Sequence, residues 1–268
     1  MGQFVSTERT GHVLEITLSR PPANAINAEV GRQLHKAFRE LQDDPELRVG
    51  ILSGGSGRIF SAGWDLKEVA KETDAGEAND AVMNEPGGFG GVTEFWERTK
   101  PVVGALNGVA VGGGFEIALS LDVLVAVDDA EFWLPEMARG FVPDAGAIQR
   151  LPRKVPYNVA MEMMLTGRRM SAKEAAHWGL VHAAVPRADL MPKVRDMAQT
   201  IAEGAPLALQ ALLEVCPVID RLPLVEAFAR TKRGASGLPI YELMITSEDF
   251  LEGPRAFAEK RAPVWKGR

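Results

Sequence analysis

Apolar residues along the first half of the chain follow two alternating rhythms, one of short extended runs and one of helical spacing. Phe4, Ser6 and Glu8 alternate as the opening of a first strand, and Val13–Leu18 reads as a second, stopped by Arg20-Pro21-Pro22. Asn27 then stands where a helix cap belongs, ahead of Val30, Leu34, Ala37, Phe38 and Leu41 at a 3.6-residue period, and Asp44-Pro45 closes that helix. Val49–Ser53 is a continuous apolar run and predicts a buried strand before the turn Gly54-Gly55-Ser56-Gly57. The polar, glycine-rich stretch 71–91 predicts a long loop or a partly ordered lid, and Thr93–Thr99 a short helix before Lys100-Pro101. The alternation then resumes with a strand at Val102–Leu106, a turn at Asn107-Gly108, a helix from Gly113 to Leu121 and a strand at Val123–Val127. Repeated units of this kind predict an α/β protein with parallel sheets and crossover helices.

Residues 132–144 are broken by Pro135, Gly140 and Pro143 and read as irregular, while beyond about 155 the pattern is mainly helical. There Ser171-Ala172-Lys173-Glu174 is a capping box, its helix ending before Gly179, and Val181–Val185 adds a strand. These patterns divide the chain into an α/β body, 1–195, and a helical C-terminal region, 196–268.

Composition narrows the classes. With 46% hydrophobic and 25% charged residues in 268, the chain is globular rather than disordered, and large enough to fold without disulfide or metal staples. Thirty basic against 36 acidic residues, with no run of Lys or Arg beyond two, argues against nucleic acid as a partner. The single cysteine, Cys216, lies among apolar neighbours and is expected to be a buried, reduced thiol. Four histidines without metal-ligand spacing predict no metal site. Met1-Gly2-Gln3-Phe4-Val5-Ser6 fits a myristoylation pattern, but the same residues open the first strand. The apolar stretch Val102–Val127 is too interrupted, by Asn107-Gly108, three glycines, Glu116 and Asp122, to read as a membrane helix. The expectation is a cytoplasmic protein with no membrane partner.

Nucleophile elbows, P-loops and dinucleotide fingerprints are absent, and His35, on a helix, and His182, in an apolar strand, read as structural. What stands out is a pair of acids in apolar company: Glu116, after Gly112-Gly113-Gly114-Phe115, and Glu136, in Phe132-Trp133-Leu134-Pro135-Glu136. Apolar surroundings disfavour the ionised carboxylate and raise its pKa towards neutrality, which suits acid–base work; a salt-bridged structural acid is the plain alternative. Three glycines at a helix start let a ligand approach free N–H groups, and Ser61-Ala62-Gly63-Trp64 follows a strand in the same way. Two donors and two carboxylates match chemistry at a thioester through an enolate.

The motifs Phe60-Ser-Ala-Gly-Trp-Asp-Leu-Lys67, Asn107-Gly108, Gly112-Gly-Gly-Phe-Glu116, Leu134-Pro-Glu136, Val142-Pro-Asp-Ala-Gly146 and Ala256-Phe-Ala-Glu-Lys-Arg261 together resemble the enoyl-CoA hydratase/isomerase (crotonase) superfamily. The resemblance runs over essentially the whole chain. Segments such as Ala23-Asn-Ala-Ile-Asn27, Pro86-Gly-Gly-Phe89 and Thr166-Gly-Arg-Arg-Met170 are similar to its carnitinyl-CoA dehydratase (crotonobetainyl-CoA hydratase) branch. The resemblance implies the crotonase fold of repeated ββα units, with C-terminal helices packing between subunits of a trimer or a dimer of trimers. It implies an oxyanion hole from the N–H groups of Trp64 and Gly113, with Glu116 and Glu136 activating water. Ala62, Asp65, Leu66 and Lys67 would line the CoA entrance, and the substrate would be an acyl-CoA thioester with no separate cofactor. Pro143-Asp144 departs from the Pro-Gly of many simple hydratases and adds an acid. For a carnitine-derived acyl group, Trp64, Phe89, Trp96 and Trp133 are the candidate aromatic faces and Asp144 the candidate charge. The alternatives are a general enoyl-CoA hydratase of fatty-acid oxidation, an enoyl-CoA isomerase and a CoA-binding scaffold.

Overall fold

The computed structural model describes residues 2–70, 74, 76–77, 80 and 83–268. Strands β1 (Val5–Thr10) and β2 (Val13–Leu18) form an antiparallel hairpin. A two-residue strand, β3 (Ala25–Ile26), leads into helix α1 (Ala28–Asp43), whose Asn27 cap accepts a bond from Val30 N–H at 3.0 Å. The helix buries Val30, Leu34, Ala37, Phe38 and Leu41, the periodic set expected of it. Strand β4 (Val49–Ser53) follows, then β5 (Ile59–Ser61), β6 (Gly63–Trp64) and the short helix α2 (Leu66–Val69). Next come β7 (Val102–Leu106), β8 (Val109–Val111), helix α3 (Gly113–Leu119), β9 (Val123–Val127) and β10 (Glu131–Trp133).

Helices α4 (Ala147–Lys154) and α5 (Tyr157–Thr166), strand β11 (Met170–Ser171), α6 (Ala172–His177) and β12 (Ala183–Val185) complete the body. Helices α7 (Leu190–Ala202), α8 (Pro206–Ile219), α9 (Leu224–Ala229), α10 (Pro239–Thr246) and α11 (Glu248–Glu259) end the chain.

The main sheet has the order β1-β2-β4-β7-β9-β12 and is parallel from β2 onward. Its β4 and β7 are buried at every residue, as parallel strands covered on both faces must be. A second sheet, β11-β10-β8-β5, and the β3-β6 pair stand beside it. Asn107 ties the two layers at their turns: its Oδ1 accepts from Gly54 N–H at 2.9 Å and its Nδ2 donates to Gly57 O at 2.9 Å. No single helix among the described residues is long and apolar enough to cross a membrane.

Several expectations need correction. The expected division at 195/196 falls inside α7, whose Val194, Ala198 and Ala202 join the same continuous core as the sheet. Cys216 is exposed, because α8 turns Leu207, Ala211 and Val215 inward and the helical period puts Cys216 outside that stripe. Residues 93–99 form turns rather than a helix, held by Arg98, which donates to both Asp122 oxygens, and followed by Lys100-Pro101. His182 is exposed and precedes β12 rather than lying in it. The loop expected over 71–91 falls largely outside the described residues; within it, Phe89–Gly91 is a buried 3₁₀ turn.

Candidate active site

The site forms where β6 meets the start of α3. Asn24 organises the approach: its Nδ2 donates to Gly54 O and Phe60 O, and its backbone carbonyl accepts from Ser61 Oγ at 2.7 Å. Ser61 Oγ in turn accepts from Gly63 N–H at 3.1 Å. Gly63 has φ +78°, and a Cβ there would lie 2.6 Å from Val111 O and 2.8 Å from Gly113 N. Only glycine lets the β6 backbone lie against the helix start. Gly112, which caps α3, and the two glycines that open it are similarly confined: a Cβ on Gly112 would meet Glu136 Oε1 at 2.6 Å, one on Gly113 the Phe89 ring, and one on Gly114 the Ser61 carbonyl. Gly113 is the first residue of α3, where N–H groups have no partner within the helix.

Glu116, in the first turn of α3, is 3% exposed, and its Oε1 accepts from Ala147 N–H at 3.0 Å. Burial pushes its carboxyl up to about 8; the Ala147 N–H opposes the rise and the charge of Glu136 adds to it. Glu136 opens the 3₁₀ turn Glu136–Arg139 after Pro135 and is 5% exposed. Burial raises its carboxyl too, against the pull of its own backbone N–H and of Arg139. Its Oε2 is buried with no hydrogen-bond partner. A buried carboxylate oxygen left unpaired is costly, so this atom marks a place built for a ligand or a water.

Both acids line a cavity of about 510 Å³, with Ala62, Trp64, Leu66, Gly113 and Asp144 among its walls. Phe89 lines it as well, nearly fully buried, and Asp144 is exposed at the rim. Of the expected CoA-entrance residues, Asp65 and Lys67 do not line the cavity. Asp65 caps α2 by accepting from Lys67 N–H and pairs with Arg20 at 2.7 Å, while Lys67 points to the surface. Burial would raise the Asp65 carboxyl, but Arg20 outweighs it and holds the group below its ordinary value. Asp65 thus braces the residue that precedes it, Trp64.

Two of the four expected aromatic faces are elsewhere. Trp96 is 76% exposed with the Arg150 guanidinium 5.9 Å from its ring, and Trp133 has Arg169 over it at 4.2 Å. The cavity instead has Phe141, which the sequence reading missed, edge-on to Trp64 with centroids 6.1 Å apart. Its position between Glu136 and Asp144, both already singled out, was the available signal. Ala147 was also missed, although the Gly146 turn before it, with φ +139°, marks a helix start next to the site. Among the described residues no group of three or more His, Cys, Asp or Glu is placed to hold a metal.

Residues 8–268 match the model of the enoyl-CoA hydratase/isomerase family, and the chain belongs to that family. It is 48% identical to a carnitinyl-CoA dehydratase of Salmonella typhi, and 48% to that of Salmonella agona, over 268 residues that cover both chains in full. Among solved structures, an enoyl-CoA hydratase from Mycobacterium tuberculosis H37Rv superposes with a TM-score of 0.88 at 37% identity, covering 99% of each chain. One from Bacillus anthracis gives 0.88 at 33%, covering 99% of this chain and 100% of the other.

Proposed function

We propose that the protein adds water to, and removes it from, an acyl-CoA thioester, with carnitinyl-CoA and crotonobetainyl-CoA as the preferred pair. The observation that carries this is the placement of two buried acids, Glu116 and Glu136, in one cavity beside the free helix start at Gly113. The thioester oxygen accepts N–H bonds from Trp64 and Gly113. A water held by both acids adds its oxygen to the β carbon as one carboxylate takes its proton. The carbon–carbon π pair moves onto the thioester as an enolate, and the other acid delivers a proton to the α carbon. Dehydration retraces these steps. One oxyanion donor of this kind contributes about 3–4 kcal/mol to the transition state. No cofactor beyond the CoA of the substrate enters the scheme.

Full-length 48% identity to carnitinyl-CoA dehydratases supports the substrate, as do Trp64, Phe141 and Asp144 around the cavity. Crotonobetainyl-CoA should be hydrated with a higher kcat/KM than crotonyl-CoA. If crotonyl-CoA wins by about tenfold or more, worth one good contact, the general enoyl-CoA hydratase reading stands instead. Both Glu116→Gln and Glu136→Gln should lose orders of magnitude. If only one does, the isomerase reading gains, since moving a double bond needs one shuttling base.

We also assign a trimer or a dimer of trimers working in the cytoplasm. Leu224, Val225, Phe228 and Phe257, each more than two-thirds exposed in the single chain, support a subunit interface. Sedimentation equilibrium at micromolar concentration checks it, and a monomer overturns it.

A further inference from the structure

Phe89 occupies a place that the hydration scheme leaves unexplained. Its ring lies where a Gly113 side chain would begin, beside the N–H assigned to the thioester oxygen, and it forms part of the cavity wall while being only 3% exposed. The ring is therefore a cavity wall that stands directly beside the position assigned to the thioester oxygen.

The ring is also held without slack. Gly87, Gly88, Gly90 and Gly91 flank it, all with φ between +63° and +82°. A Cβ on Gly88 would meet Glu94 at 2.8 Å, and one on Gly91 would meet His35 N at 2.7 Å. The carbonyl of Gly91 bonds His35 Nδ1 at 3.0 Å, and the carbonyl of Gly87 accepts from Glu94 N–H at 2.8 Å. A backbone so closely fitted to α1 and α3 is fixed scaffolding, and a side chain set on it keeps its position when substrate binds.

We propose that Phe89 is the specificity-determining residue for acyl length: its ring closes the acyl end of the cavity and excludes extended straight chains. This rests on the reading that the cavity takes enoyl-CoA thioesters, but it is independent of which short acyl group is preferred. Truncating the ring joins its space to the cavity and admits further methylenes.

The test compares wild type, Phe89→Ala and Phe89→Leu, with trans-2-decenoyl-CoA and crotonyl-CoA as substrates. The ratio of kcat/KM, ten-carbon over four-carbon, is expected to rise about tenfold or more in the alanine variant, the worth of one newly accommodated methylene. The leucine variant, closer in volume and kept for the case that alanine impairs folding, should raise the ratio about threefold. In parallel, calorimetric titration with butyryl-CoA and decanoyl-CoA, which cannot react, gives the same selection as a ratio of Kd values. Ratios unchanged in folded variants overturn the length role. A wild type that binds these thioesters but hydrates neither enoyl-CoA refutes the hydratase reading, and the Kd ratios still decide the role of Phe89.

Discussion

Replacing Glu116 by glutamine should abolish turnover and at the same time stabilise the protein, by an amount that grows with pH. In the unfolded chain the carboxyl ionises near its ordinary value of 4.5, whereas burial in the fold holds the proton until about 8. Below pH 4.5 both states are protonated and the group is neutral to stability. Between the two values the unfolded chain has released a proton that the folded chain keeps, so folding loses up to about 1.4 kcal/mol per pH unit. Above about 8 the loss levels off, at an upper bound of about 5 kcal/mol. Water in the cavity relieves part of this, so about 2 kcal/mol is expected between about pH 5 and 8. The substituted amide keeps an oxygen for the Ala147 N–H and carries no charge to bury. Urea unfolding of both proteins at a series of pH values from about 5 to 8, at one protomer concentration, measures the gap. Taking the difference cancels every group that titrates alike in the two proteins. A gap that stays flat within about 0.5 kcal/mol across that range refutes the assignment of Glu116 as a carboxyl strained by its site.

With one acid ionised and the other protonated, as the hydration scheme requires, kcat/KM should be bell-shaped, with an alkaline limb near the value of about 8 given by burial to Glu116; activity undiminished well above that pH sinks the need for a protonated acid. Gly114→Ala drives a methyl group into the Ser61 carbonyl and should cost about 1–3 kcal/mol, read as a lowered Tm. Asp65→Ala removes the α2 cap and the nearer of the two carboxylates paired with Arg20, leaving Glu68, and should cost about 1–2 kcal/mol, with thermal denaturation as the check.

Elements were legible where local chemistry and burial agree. The periodic face of α1, the continuous runs of β4 and β7, and the Ser171 cap, which accepts from Glu174 N–H, all arise from nearest neighbours in the chain. The glycines were legible because a helix start without Cβ atoms has few other uses. What failed was proximity inferred from adjacency. Trp96 and Trp133 lie close in sequence to site motifs, but Arg150 and Arg169, remote in the chain, stand over their rings. Cys216 has apolar neighbours on both sides, and the helical rotation decides against its burial. Each miss required a contact that only the assembled chain defines.

The charge on the acyl group provides a test that joins the acids to the substrate. Glu116, Glu136 and Asp144 put three carboxyl groups at one cavity, and the charges of Glu136 and Asp144 both add to the rise in Glu116. A fixed trimethylammonium held there opposes that rise and favours the ionised form of Glu116. At a separation of roughly 8 Å and an effective dielectric of about 20, a unit charge contributes about 2 kcal/mol, and screening leaves a downward shift of about one pH unit. The alkaline limb of kcat, which reports the substrate complex, should therefore lie about one unit lower with crotonobetainyl-CoA than with crotonyl-CoA. The neutral isostere 5,5-dimethylhex-2-enoyl-CoA, of the same shape, should behave like crotonyl-CoA, which separates charge from bulk. If the cationic substrate gives a limb at the same pH as both neutral ones, its head does not sit near the acids. The acyl group would then project away from Asp144, and recognition of the cation by Trp64 and Phe141 would fall with it.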